Sequence, residues 1–108
     1  MAYPTSVDAG YVQFVESQSA ASLSNSSTIS TANVSVARVT TSGNVTGIIL
    51  QAGTLQGQEV VVTNESSNTV TFAAVGTSNV ADGTSAVIAA NRAMFFRWNS
   101  GTSKWYHA

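Results

Sequence analysis

The chain has no cysteine, one proline and very little charge. The missing cysteines exclude disulfides and thiolate-metal sites, so stability must come from a core, from backbone hydrogen bonds or from partner subunits. The single proline is Pro4, and so no strand further along lacks an amide donor for its ladder. Charged residues make up 8% of the chain, against roughly 25% in an ordinary soluble domain, which leaves few groups for acid–base chemistry or electrostatic steering. The basic residues Arg38, Arg92, Arg97 and Lys104 are too scattered for the dense patch that neutralises phosphates, so nucleic acid is not an expected partner. No window approaches the ~18 apolar residues of a membrane helix, and the first residues lack the basic and apolar regions of a secretory signal. No membrane partner is expected, and the chain reads as complete from its own methionine.

What the chain has instead is Ser, Thr, Asn, Ala and Val in short alternating runs. A chain of 108 residues suits one domain. Period-2 alternation predicts strands at 34–39, 45–50, 59–63, 69–74, 86–89, 93–99 and 104–107. Residues 11–16 offer a further strand, or the start of a short helix. That makes about eight strands, the spacing of an all-β sandwich. Residues 22–33, rich in Ser, Thr and Asn, read as a surface loop, because such side chains compete with backbone pairing. Residues 1–10 read as an irregular N-terminal arm preceding a single domain over 11–108. Asn25, Asn33, Asn44 and Asn64 each head an Asn-x-Ser/Thr triplet, which chance explains in so hydroxyl-rich a chain.

Two hairpins follow from register. Pairing Thr63 with Thr69 sets Val62 opposite Val70 and Val60 opposite Phe72, which gives these four one buried face. Pairing Asn99 with Lys104 sets Trp98 opposite Trp105, Phe96 opposite His107 and Arg97 opposite Tyr106. Phe96, Trp98 and Trp105 then join the core. The second hairpin carries aromatics on both faces, and a strand pair of that kind normally lies between two layers. Phe95 and Tyr106 are therefore the subunit-interface candidates, with Arg97 beside them for a cation–π contact or an intersubunit ion pair.

The inventory speaks against catalysis. His107 is next to last in the chain, no nucleophile-elbow Gly-x-Ser-x-Gly occurs, and Asp8, Glu16, Glu59, Glu65 and Asp82 form no ready carboxylate pair. Asp82-Gly83-Thr84 reads as a plain turn and not a calcium loop. No enzyme, metal or cofactor is expected.

The run from Gly57 to Phe72, then Asp82-Gly83, the segment Val87 to Ala90, and the closing Phe96-Arg97-Trp98-Asn99 with Lys104-Trp105-Tyr106 resemble small β-sandwich domains of tailed-bacteriophage virion proteins. These comprise capsid decoration (cement) proteins, head fibres and fibre tips, and the resemblance covers about the last half of the chain. It implies a virion structural protein that is commonly a homotrimer; the fold expected of this chain is an antiparallel, jelly-roll-like β-sandwich, with the strand order left open because immunoglobulin-like and other sandwiches share the pattern of short strands. Among the three locations, the short chain and its arm favour a decoration protein on the capsid outer surface. Its partners would be itself and the major capsid protein, with Ala2, Tyr3, Pro4 and Thr5 as the capsid-binding arm, and it would stabilise the head. The alternative expectation is a carbohydrate- or receptor-binding fibre module, with a host surface glycan as partner.

Overall fold

The computed structural model describes residues 19–108, so the expected arm over 1–10, with Ala2, Tyr3, Pro4 and Thr5, and the candidate strand at 11–16 lie outside the described residues. The described chain forms two facing sheets, the all-β sandwich that the strand spacing predicts. One sheet has five strands in the order β1 (Ala21–Leu23), β3 (Val36–Thr41), β5 (Glu59–Asn64), β8 (Ala93–Asn99) and β9 (Lys104–His107). The other has four, β2 (Thr28–Ile29), β4 (Val45–Leu50), β6 (Val70–Phe72) and β7 (Val87–Ile88). A short helix, α1 (Val75–Ser78), and a 3-10 turn, Gly83–Ser85, separate β6 from β7.

The expected antiparallel, jelly-roll-like pairing needs correction. From β1 to β6 the chain alternates between the sheets, and neighbours within each sheet run parallel, β1 with β3 and β5, β2 with β4 and β6. The first half is thus wound around the core in three successive turns, and only β7, β8 and β9 pair antiparallel. Side-chain alternation has the same period in both pairings, so the sequence pattern is blind to the difference.

The expected hairpin of 59–63 with 69–72 is corrected on the same ground. β5 pairs with β3 and β8, whereas β6 pairs with β4 and β7 in the opposite sheet. Val60, Val62, Val70 and Phe72 still share the core, but they meet across the sandwich and not along a ladder. The cause lies in Asn64, which is fully buried. Its Nδ2 donates to the carbonyls of Asn68, Ile88 and Ala89 at 2.7, 3.3 and 3.1 Å, and its Oδ1 accepts from Ser66 N and Oγ at 3.0 and 2.7 Å. These bonds fold residues 64–68 into a corner that carries the chain across to the other sheet.

Residues 22–33, expected as a loop, contain β2 and most of β1. Their polar side chains serve the corners. Asn25 Oδ1 accepts Thr46 N at 3.0 Å, Asn44 Oδ1 accepts Thr69 N at 3.0 Å, and Asn68 Nδ2 donates to Thr41 O at 3.1 Å. Each turn of the winding is tied to the next by an Asn side chain, which gives the Asn-x-Ser/Thr triplets at Asn25 and Asn44 a structural use.

The core is Val, Ile, Leu and aromatic. Phe72 and Phe96 meet edge-on from opposite sheets at 5.5 Å between centroids, and Trp98 and Trp105 do so within one sheet at 5.2 Å. Such pairs add about 0.5–1.5 kcal/mol beyond buried area. The indole of Trp105 donates to Gln51 O at 2.9 Å, so its burial leaves no orphan donor.

Candidate functional site

The β8–β9 hairpin has the register read from the sequence: Phe96 opposite His107, Arg97 opposite Tyr106, Trp98 opposite Trp105 and Asn99 opposite Lys104. Alternation sends Phe96, Trp98 and Trp105 into the core, and Phe95, Arg97 and Tyr106 outward. Phe95 is 63% exposed and Tyr106 45%. Large aromatics are seldom left so bare without a use, which makes this face the candidate site.

Its layout follows from the ladder. One row across the outer face is apolar, with Val36 aligned to Val61 and Val61 to Phe95, and Ala108 N donating to Phe95 O at 3.2 Å. The next row toward the β8–β9 turn is polar, Glu59 beside Arg97 beside Tyr106. Arg97 reaches Glu59 Oε2 at 3.5 Å, so its ion pair lies within the chain. On the far side of the apolar row Arg38 is hydrogen-bonded to Glu65 through Nε and Nη2. The Arg38 guanidinium holds the Glu65 carboxyl below the ordinary glutamate value. An apolar band therefore runs between two ion pairs. Over it lies an open groove of about 760 Å³, lined by Glu59, Val61, Phe95, Arg97, Tyr106 and His107 among others.

His107, next to last in the chain, is engaged. Its Nε2 lies 2.8 Å from both carboxylate oxygens of Asp82, and its ring lies 5.8 Å from that of Phe96. The contact pins the last strand to the 3-10 turn at Gly83–Ser85, so the segment expected as a plain turn also anchors β9. The edge of β9 is covered as well, because Trp105 N donates to Asn79 O at 2.7 Å and Ala81 N to Trp105 O at 2.8 Å. Neither contact shows in the sequence, since Asn79 to Asp82 carry no periodicity that would place them beside residue 105.

Among the described residues, no three His, Asp or Glu side chains cluster as metal ligands would. No described helix is long and apolar enough to cross a membrane.

Residues 17–106 match the family model described as the phage depolymerase C-terminal beta sandwich domain, and the chain belongs to that family. No curated protein and no solved structure matches it. The chain is a bacteriophage virion β-sandwich, the broader expectation that the resemblance carried.

Proposed function

We propose that this member of the phage depolymerase C-terminal β-sandwich family is a non-enzymatic carbohydrate-binding module of a fibre-type virion protein. The observation that carries the reading is the open groove in which exposed Phe95 and Tyr106 flank the Glu59–Arg97 pair. Sugar rings present C–H faces that stack on aromatics, and hydroxyls that pair with carboxylates, guanidinium groups and phenols. The groove offers both within one row of each other on a rigid sheet. Membership of a depolymerase family supports a polysaccharide as ligand, and favours a fibre-type location over a capsid cement. Catalysis is assigned to no residue of this domain. The test is a glycan array and titration calorimetry with wild type, Phe95→Ala and Tyr106→Ala. Loss of binding with an unchanged melting temperature is expected in both variants, and a wild type that binds no bacterial polysaccharide overturns the reading.

The apolar row Val36, Val61 and Phe95 favours a second reading, a homotrimer in which this face meets another copy. In that case Phe95, Arg97 and Tyr106 are contact residues, as the two-faced hairpin suggested. Capsid decoration belongs to this reading, with the arm at Ala2, Tyr3, Pro4 and Thr5 gripping the major capsid protein. Light scattering across a dilution series separates the two readings. A trimer that Phe95→Ala dissociates supports the second, and a monomer that binds glycan supports the first.

A further inference from the structure

Beside the large groove, across the ridge made by Arg97 and Tyr106, is a second open hollow of about 320 Å³ lined by Gln56, Arg97, Trp98, Asn99 and Tyr106. Its polar chemistry is one-sided. Gln56 Oε1 accepts Ser100 N and Ser100 Oγ, each at 2.8 Å, and Asn99 Oδ1 accepts Gly101 N at 2.8 Å and Thr102 N at 3.2 Å. A backbone N–H only donates, so the bonded atom of each carboxamide is its oxygen, and the flip of both groups is fixed. Two donors also fill the two lone pairs of each oxygen. What Gln56 and Asn99 have left is their NH2 groups, which have no hydrogen-bond partner among the described residues. Arg97 supplies only donors as well, and its one carboxylate contact, Glu59, lies on the groove side at 3.5 Å with both side chains about 70% exposed. So exposed a pair is weak and exchanges readily. Lys104, facing Asn99 across the hairpin, adds a second positive charge two register positions beyond Arg97. The Tyr106 hydroxyl donates to Thr102 Oγ1 at 3.1 Å.

We propose that this hollow is a subsite for the carboxylate of an acidic sugar, an inference that rests on the carbohydrate-binding reading of the neighbouring groove. Two planar amides and a planar guanidinium presenting only N–H groups match a planar acceptor with several lone pairs. A neutral sugar hydroxyl finds no acceptor for its hydrogen on the two amides, whose oxygens are already filled, whereas a carboxylate needs none. Arg97 and Tyr106 line both hollows, so a sugar stacked on Phe95 and an acidic residue beside it lie on one continuous path. The turn residues are held before any ligand arrives, because Gln56 and Asn99 each brace the backbone of 100–102. Binding therefore orders little that is not already ordered.

The test is a titration of the 15N-labelled full chain, wild type and Gln56→Glu, with tetraglucuronate and with the same tetramer after carboxyl reduction, followed by NMR. Gln56→Glu keeps an oxygen for Ser100 and replaces the free NH2 with a carboxylate oxygen, so the turn persists while the hollow repels an anion. For wild type we expect saturable shifts of the Gln56 and Asn99 side-chain NH2 signals with tetraglucuronate, at least tenfold tighter than with the reduced tetramer. Gln56→Glu is expected to lose that tenfold preference and keep the Phe95 response to the reduced form. Equal affinity for both tetramers, or an acid preference that survives in Gln56→Glu, overturns the subsite and leaves the groove reading intact. If neither tetramer moves the Phe95 or Tyr106 signals, the groove reading fails and the subsite with it.

Discussion

Replacing Asn64 with Asp tests whether one buried side chain holds the two sheets together. The change is nearly isosteric, so packing is kept and only the polar pattern alters. In the wild type the NH2 group faces three carbonyl oxygens at 2.7, 3.3 and 3.1 Å, in a site with no solvent exposure. An aspartate oxygen there loses the donated bonds, at about 1 kcal/mol each, and faces acceptors with nothing to offer them. Burying the charge as well adds several kcal/mol, limited by protonation of the new carboxyl. The expected loss at neutral pH is about 4 kcal/mol, a large part of the ~5–15 kcal/mol typical of a domain. For a domain of this size that corresponds to a fall in Tm on the order of 20 °C. The pH dependence gives a second signature. The unfolded aspartate ionises near ~3.9 while burial raises its folded value, so the charge part of the penalty is absent below that pH and grows as pH rises through the interval, while the lost donated bonds cost stability throughout. Urea denaturation of both proteins from pH 3.5 to 7 measures it. A variant within about 1 kcal/mol of wild type at pH 7, or a difference that does not shrink toward low pH, would refute the clip.

Three further perturbations separate packing, charge and binding. A Cβ on Gly53 would overlap the Trp98 ring, so Gly53→Ala is expected to destabilise by about 1–3 kcal/mol in urea titration and to perturb the indole fluorescence. Glu65 is held below its ordinary value by Arg38, so its contribution is present above that value and lost as pH falls through the lowered one. Glu65→Gln should flatten the dependence of Tm on pH over that acid window, and an unchanged slope would count against the pair. Phe95→Ala removes a side chain that is 63% exposed, so Tm should stay within a few degrees while binding on the outer face is lost.

The sequence was most legible where contacts are local. The β8–β9 hairpin is read residue for residue, because the spacing of Trp98, Asn99, Lys104 and Trp105 fixes a register that the four residues between the strands can close. The winding of β1 to β6 was illegible for the opposite reason. Its pairings join residues far apart in sequence, such as Val36 with Val61 and Val45 with Val70, and alternation carries no sign of strand direction. A signal for it existed in the asparagines. Asn25, Asn44, Asn64 and Asn68 recur at the corners, where each carboxamide bonds backbone of its own or a neighbouring turn, yet in a Ser/Thr/Asn-rich chain they look like loop composition. The Asp82–His107 contact and the donor-only hollow at Gln56 and Asn99 likewise depend on segments that only the fold brings together.

The placement of the site follows from how the fold is closed. A parallel winding leaves its last strands needing partners, and β7 and β8 supply them antiparallel to β6 and β5. The hairpin that closes the five-stranded sheet must fill the core with Phe96, Trp98 and Trp105, and the bond to Asp82 together with the 79–81 backbone seals its free edge. With the inward face that heavily packed, the outward side chains of the same strands are held in place and contribute little to folding. Phe95, Arg97 and Tyr106 are therefore free to change with the ligand while the scaffold beneath them stays fixed, the arrangement expected of a recognition surface carried on a rigid element. It follows that substitutions at these three positions should alter affinity with little change in stability, whereas substitutions at their inward neighbours should do the reverse. A binding defect that tracked stability across both sets would place the function elsewhere on the molecule.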